Sequence, residues 1–597
     1  MKNASFLYRL ARYSFRFYVL NVFIWTLITL SPIIPGLVMK EFFDTLEGDS
    51  IYELGVGVLI ALIIAAALFR SILIIVGFII DVNLRVRMSG LLRRNMLEHI
   101  LKKPGARAIP CSPGEAITQF REDVEHVEET LSWSADAIGM TFFAGVSFYI
   151  LYNIHAQLTL YVFLPLIVVV TAAQLATSRI QRYRSESREA TSQVTGAINE
   201  MFNSVQAIQI AGAEQRVIDR FKKLNETRRV TMLKDKLINS LLESVFSNTV
   251  NIGTGLILFV AARSMRDDTF SVGDFALFVY YLTFVTQFIQ NFGKFMTLFK
   301  QNQVSLDRMQ FLMQTQSADV LVEPHPIYLR GNLPDLVQPA IMDTEVLDRL
   351  EVRDLTYHYP GTDRGIEGIN LNIHKRSLHV VTGRIGSGKT TLVRALLGLL
   401  PKDRGEIRWN GKKVEEDSGS FFVPPRTAYT PQVTRLYSDT LKNNILLGLP
   451  DDTKRIDDAI HAAVLDHDVE HLHYGIDTVI GPRGVKLSGG QAQRTAAARM
   501  FIRDAQLLVF DDLSSALDVD TERKLWERLH ESRDSACLVV THRKAVLQKA
   551  DHIIVMRDGR IEDEGTLAEL LQRNDEMRKI WNMNDEESEE SDEREGE

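Results

Sequence analysis

Cysteine is nearly absent, with only Cys111 and Cys537 among 597 residues. Both stand in segments that read below as cytosolic, so a disulfide framework is excluded and they read as plain small residues. Nor does the opening of the chain read as a cleavable leader. No short apolar core with a small-residue cleavage site opens the chain, and Arg9, Arg12 and Arg16 lead instead into a long apolar stretch from about Phe17, the pattern expected of a retained first membrane span. A third absence is positive charge over 41–53, just past Lys40, where Glu41, Asp44, Glu47, Asp49 and Glu53 occur with no Lys or Arg among them.

A chain of this length exceeds one compact core, which implies at least two domains. The hydrophobic fraction of 46% and net charge of −8 are those of an ordinary soluble protein. That average hides an asymmetry, because the long apolar runs all precede about residue 300. Segments long enough to cross a bilayer as helices fall at 17–39, 54–80, 134–152, 158–178, 237–262 and 274–299. Arg and Lys crowd 81–133 and 179–236, so the positive-inside rule places both termini in the cytosol of a multi-pass protein. A bacterial plasma membrane is the simplest expectation for its location. A soluble cassette ATPase acting on DNA is excluded by the six spans, and no nucleic-acid partner is expected.

Apolar residues three or four apart over 82–103 and 179–229 predict long helices continuing below the membrane. They break at Lys103-Pro104-Gly105 and Ser112-Pro113-Gly114, turns placed where a cytosolic motor would touch them. Two intramembrane features each carry two readings. Arg70 either snorkels or finds a partner in the bundle, or it is a counter-charge for substrate. The stripe Tyr281, Phe284, Phe288, Phe292, Phe295 and Phe299 either packs against helices and lipid or walls a pocket for an apolar substrate.

The domain reading is a membrane domain over 1–310, a linker over 311–349 punctuated by Pro324, Pro326, Pro334 and Pro339, an α/β domain over 350–580, and a tail over 581–597. The tail is nearly continuous acid from Asp585 to Glu597, read as solvated and disordered, with a regulatory or cation-binding role as the alternative. In the third part short β-branched runs alternate with helical stretches, which predicts a largely parallel sheet.

That domain carries Gly383-Arg384-Ile385-Gly386-Ser387-Gly388-Lys389-Thr390 between an apolar run at 378–381 and a helical pattern from Thr391. Glycines let backbone N–H groups wrap a phosphate chain, Lys389 reaches the β and γ phosphates, and Thr390 offers a hydroxyl to Mg²⁺. The helix start at Thr391 adds its dipole. A second apolar run, Leu507-Leu508-Val509-Phe510, ends in Asp511, where a carboxylate holds Mg²⁺, and in Asp512, where one would activate water. Strands also end in Asp for turn chemistry alone, but the upstream phosphate loop favours the functional reading.

Between the two motifs lies Leu487-Ser488-Gly489-Gly490-Gln491, and here the chain resembles the ATP-binding-cassette family, whose signature is this pentapeptide. Six spans with long cytosolic extensions followed by a cassette look like the exporter type of half-transporter, with a helical membrane domain and an α/β nucleotide-binding domain. The resemblance implies roles for further positions. Tyr359 resembles the aromatic that stacks on adenine, and Gln432 the glutamine that contacts Mg²⁺ and senses the membrane domain. Ser515-Ala516-Leu517-Asp518 resembles the loop that communicates across the dimer, and His542 the histidine at the γ phosphate. The cytosolic turns would be coupling helices. ATP and Mg²⁺ are the implied cofactors, and a second half-transporter, identical or related, is the implied partner. Two cassettes would face head to tail, so that signature residues act on the partner's ATP and closure drives the membrane helices. Membrane lipid and an amphipathic or hydrophobic small molecule, lipid or peptide complete the expected partners.

Two positions depart from the family. Exporters usually carry Glu where Asp512 stands, so the site is either slow but competent or a degenerate half of a heterodimer. Pro482, in Gly481-Pro482-Arg483-Gly484, replaces a residue that is typically acidic, which changes the stretch expected to meet the coupling helices. Import on the same fold, or an ATP-gated channel or sensor with slow hydrolysis, are the competing functions.

Overall fold

The computed structural model describes the chain apart from residues 1, 49–53, 106–107, 161–182, 184–185, 203, 267–269, 330, 332, 334–344, 415–417, 482–483, 514–516, 532–533 and 583–597. Most of the expected span 158–178, residues Pro482, Ser515 and Ala516, and the acidic run from Asp585 therefore lie outside the described residues. The chain forms two compact units, one of Met1–His99 with Pro110–Gly331 and the other of Ile100–Ile109 with Asn332–Glu597.

The first unit is helical: α1 (Lys2–Tyr13), α2 (Phe15–Leu30), α3 (Ile33–Glu47), α4 (Val56–Leu101), α5 (Pro113–Thr118), α6 (Val124–Ile154), α7 (Glu214–Arg266) and α8 (Val272–Met313). The break between α2 and α3 falls at Ser31 and Pro32, because a proline offers no N–H to continue the helical ladder. Among the described residues four stretches are long and apolar enough to cross a membrane: Phe15–Glu47, Val56–Leu101, Pro113–Ile154 and Val272–Met313. The expected span 237–262 forms part of α7. At 46, 53 and 42 residues, α4, α7 and α8 run on the order of 60–80 Å at 1.5 Å per residue. A hydrocarbon core of about 30 Å takes up less than half of that, so these helices extend well beyond it.

Packing divides each helix by face. Leu68, Phe69, Ile72, Ile75 and Ile79 of α4 are exposed, an apolar face suited to lipid rather than water. The opposite side of the bundle buries Phe143 of α6 against Leu277, Phe278, Tyr281 and Val285 of α8. The Tyr281 hydroxyl donates to the Ile33 carbonyl at 2.9 Å, and α2, α4 and α6 are joined where Asn21 and Ser132 both donate to Asp81, at 3.1 and 2.7 Å. Such interhelical polar contacts hold helices together where no hydrophobic gain separates protein from lipid.

The aromatic stripe of α8 accordingly splits. Tyr281 and Phe284 pack on Phe143 with ring centroids 6.0 and 5.7 Å away. Phe292 and Phe295 instead line an open apolar recess together with Phe142 and Val146 of α6. Arg70 lies within the bundle with its guanidinium 5.9 Å from the Phe284 ring centroid, and its Nε is buried without a hydrogen-bond partner among the described residues.

The second unit is built on the strands β1 Arg349–His358, β2 Gly365–His374, β3 Leu378–Gly383, β4 Arg404–Trp409, β5 Lys412–Lys413, β6 Thr427–Thr430, β7 Leu507–Asp511, β8 Ala536–Val540, β9 His552–Arg557 and β10 Arg560–Gly565. They form a six-stranded sheet in the order β10-β9-β3-β8-β7-β6 and a four-stranded one in the order β2-β1-β4-β5. Neighbours from β9 to β6 pair in parallel, and β10 closes the edge antiparallel. Strands β3, β7 and β8 are buried throughout, which explains their unbroken apolar runs. Their alternate residues feed two cores, Val380, Phe510 and Val539 on one face and Val381, Val509 and Val540 on the other. The last described helix runs over 575–582, with Trp581 packed against the first core.

Candidate nucleotide site

Because β8 lies between β3 and β7, all three parallel, the phosphate loop and Asp511 leave the sheet at the same carboxyl edge. This is where open α/β sheets bind ligands. At the end of β3, Gly383 has φ 144°, and a Cβ there would sit 2.2 Å from the Met556 carbonyl oxygen. No other residue fits. Gly388, at φ 100°, is the left-handed residue immediately before helix α9 (Lys389–Leu396), so the chain turns from strand to helix within the loop.

Lys389 folds back over this turn, its Nζ donating to the carbonyls of Gly383 and Arg384 at 2.7 and 2.8 Å. Burial pushes its pKa down, against the opposing pull of Asp512 and Asp511. An anion at this place would reverse that cost. Thr390 Oγ1 donates to Asp511 at 2.9 Å, and the Tyr429 hydroxyl donates to the other Asp511 oxygen at 3.3 Å. Asp511 is fully buried, and burial raises its pKa despite Thr390, Arg394 and Tyr429, which act the other way. A buried carboxylate beside a hydroxyl fits a hard divalent cation with oxygen ligands.

Asp512 takes a left-handed conformation with φ 55°, one that Asp tolerates better than most residues. Its N–H donates to the Val540 carbonyl at 3.0 Å, and its carboxylate accepts from Gln432 Nε2 at 3.1 Å. Gln432 comes from just past the end of β6, the strand next to β7. Tyr359 stands over Thr391 in the first turn of α9, its hydroxyl 3.2 Å from Thr391 Oγ1. The Tyr359 ring packs edge-on to buried Tyr357 at 5.2 Å and remains 38% exposed, which leaves it free to stack on a base. Of the remaining loop residues, Ile385 points into solvent, while Ser387 is buried and its Oγ has no hydrogen-bond partner among the described residues.

The signature residues cap helix α10 (Gly489–Phe501), with Ser488 accepting from the Gln491 N–H and Gln491 Oε1 accepting from the Ser488 N–H. This reciprocal capping box fixes the helix start and its dipole. Gln491 and Arg494 both donate to Asp468, at 2.9 and 2.6 Å, and Leu487 packs against the core. Leu517 is buried. Asp518 accepts from the Thr521 N–H at 2.9 Å, the bond that chiefly holds its carboxyl below the usual range, and so caps α11 (Val519–Glu531). His542 is exposed two residues past the end of β8, after Thr541, whose N–H donates to the Val381 carbonyl at 3.2 Å.

The geometry thus sets Thr390 on Asp511 and Gln432 on Asp512, adjacent carboxylates at one sheet edge, with Lys389 next to Thr390 and with Tyr359 and Thr391 beside them. Tyr429 joins them from β6, and nothing in its local sequence marks it. The period of two along Thr427–Thr430 gives the face of the strand but not a carboxylate 82 residues away.

The family model for the ABC transporter transmembrane region matches residues 17–289, and the one for the ABC transporter cassette matches 366–515. The chain belongs to the ABC transporters. Its order of membrane region and cassette is that of an exporter-type half-transporter. The transporter is 28% identical over 499 residues to an ATP-dependent lipid A-core flippase of Aromatoleum aromaticum, covering 80% of this chain and 77% of that one. It is 26% identical to a protein of the same name in Salmonella typhimurium, covering 80% of each. A Bacillus subtilis ABC transporter ATP-binding/permease protein named for multidrug resistance is 27% identical over 82% of this chain and 81% of its own. A bacterial Atm1-family ABC exporter solved with ATP bound shares the fold, with TM-score 0.78, 20% identity and coverage of 96% and 98% of the two chains.

Proposed function

We propose that this transporter exports or flips an amphipathic or hydrophobic molecule across a bacterial plasma membrane, with both termini cytosolic, as one half of a dimer driven by ATP. The observation that carries the reading is the meeting of Thr390 with Asp511 and of Gln432 with Asp512 at one sheet edge, beside the loop over which Lys389 folds. Lys389 and the loop amides would hold the phosphates, and Thr390, Asp511 and Gln432 the Mg²⁺. Bound ATP supplies the γ phosphoryl group transferred to water, and Mg²⁺ offsets its charge. Asp512 orients the attacking water, His542 contacts the γ phosphate, and Tyr359 holds the base. Ser488 and the glycines after it act on the partner's nucleotide. The recess beside Phe292 and Phe295 takes the apolar part of the cargo.

Asp512 supports a second reading, a slowly hydrolysing channel, sensor or importer on the same fold, because its carboxylate is one methylene shorter than Glu and is engaged by Gln432. Mg²⁺-dependent hydrolysis by the whole chain in lipid nanodiscs tests both. Turnover stimulated by lipid or drug and lost in Lys389→Ala supports export, with vesicle orientation giving direction. Turnover indifferent to every amphiphile favours the second.

A further inference from the structure

In the phosphate loop the Arg384 side chain is engaged away from the nucleotide chemistry. Arg384 Nε lies 2.5 Å from Glu576 Oε1, and the Glu576 side chain is only 3% exposed whereas that of Arg384 is 59% exposed. The pair is in close charge contact without hydrogen-bond alignment. Glu576 is carried by a helix over 575–582, and that helix cannot readily yield. Asn574 caps it by accepting from the Met577 N–H at 2.7 Å, Met577 is fully buried in the core, and at the far end Lys544 Nζ stands 4.7 Å above the Trp581 ring. Lys544 is two residues past His542. The last described helix is therefore fastened beside both the phosphate loop and the segment of His542.

A guanidinium next to a phosphate loop is an obvious phosphate ligand, since charge-assisted Arg–phosphate bonds are strong and often bidentate. Here it is engaged elsewhere. If Arg384 swung to a nucleotide, it would leave Glu576 as an uncompensated buried charge, which is costly. We infer that Glu576 is a positioning residue that keeps the Arg384 guanidinium off the nucleotide phosphates and so lowers the affinity of this cassette for nucleotide. The role suits a motor that must release ADP in each cycle. The inference rests on the reading of residues 383–390 as a nucleotide site.

The test is equilibrium binding of ATP and ADP, without hydrolysis, to the full chain in nanodiscs, for wild type, Glu576→Gln, Arg384→Ala and the double variant. Glu576→Gln keeps the shape of the side chain and removes its charge. Its expected result is roughly three- to tenfold tighter binding of both nucleotides, less than the tenfold or more of a fully buried charge-assisted bond because the Arg384 side chain is 59% exposed, and no such increase when Arg384 is already Ala. Unchanged or weaker binding in Glu576→Gln, or an equal increase in the Arg384→Ala background, overturns the inference. A merely structural role for Glu576 would move the unfolding midpoint without this dependence on Arg384. Should Glu576→Gln not fold, Glu576→Asp gives the second reading, because its side chain is one methylene shorter and frees the Arg384 guanidinium: both nucleotides should bind more tightly, and unchanged or weaker binding overturns the inference. Wild type that binds neither nucleotide would instead overturn the nucleotide site itself.

Discussion

Gln432 Nε2 donates to the Asp512 carboxylate across 3.1 Å, while the preceding Asp511 is held by Thr390 at 2.9 Å. Two adjacent carboxylates thus serve different neighbours. Asp511 is buried on the strand, where its partners fix it, and Asp512 turns out through a left-handed backbone to meet a glutamine that follows the next strand.

Asp512→Glu extends that carboxylate by one methylene toward the position from which water is activated. A misplacement of about 1 Å at such a site can cost a hundredfold, so the variant is expected to raise the Mg²⁺-dependent turnover of the chain alone by about ten- to a hundredfold. The measurement is phosphate release in nanodiscs, with Lys389→Ala as the inactive control. Wild-type turnover already as fast as the variant would mean that Asp suffices and that a partner bearing Glu is not required.

Asp511 sets a conflict between stability and function. Burial raises its pKa above the ordinary value near 3.8, outweighing Thr390, Arg394 and Tyr429. The folded state therefore binds this proton more tightly than the unfolded chain does. The resulting stabilisation is full below the ordinary value and is lost as pH rises through the raised one, so at neutral pH the ionised group is a net cost. Asp511→Asn should raise the unfolding midpoint of the nucleotide-free protein at pH 8, with the difference from wild type shrinking as pH falls toward the raised pKa. The same variant should lose about a hundredfold or more of its hydrolysis. A midpoint lowered at pH 8 would count against the burial argument.

Tyr359 leaves one part of its ring exposed while Tyr357 and Thr391 hold the rest. Stacking of a base on an aromatic ring contributes about 1–3 kcal/mol by alanine substitution, which corresponds to roughly 5- to 150-fold in affinity. Tyr359→Ala should weaken ATP binding within that range, and Tyr359→Phe should change it little, because the hydroxyl bonds Thr391 rather than the base. Equal losses in both variants, read by displacement of a fluorescent nucleotide, would place the role in the hydroxyl.

How much of the site is legible in the sequence depends on range along the chain. Gly383 to Thr390 is a local pattern, and a strand, a tight turn and a helix start can be read from eight neighbouring residues. Asp511 is legible for a similar reason, since β7 is buried on both faces and its apolar run ends where polarity begins. Glu576 and Tyr429 are not, because each acquires its role from a residue far away in sequence, Arg384 in one case and Asp511 in the other. The two faces of the Tyr281–Phe299 stripe are likewise undecided by spacing. Helical periodicity shows which residues share a side of α8, but only the placement of α6 divides Tyr281 and Phe284, packed on Phe143, from Phe292 and Phe295 at the open recess.

The signature serine offers the sharpest test of the dimer. Ser488 already has a local duty, since it closes the capping box of α10 with Gln491, and Ser488→Ala should cost about 1 kcal/mol of helix-start stability for that reason alone. Loss of hydrolysis in Ser488→Ala is then ambiguous between a frayed helix and a lost contact to the partner's nucleotide. Mixed dimers separate the two. If the signature acts across the dimer, one protomer with Lys389→Ala and one with Ser488→Ala place both lesions in a single composite site and leave the other intact. Hydrolysis should then survive in the mixed dimer although each variant is inactive as a homodimer. Were Ser488 to serve the nucleotide of its own chain, both sites of the mixed dimer would be damaged, and tandem-tagged mixed dimers purified into nanodiscs would release no phosphate above the Lys389→Ala control.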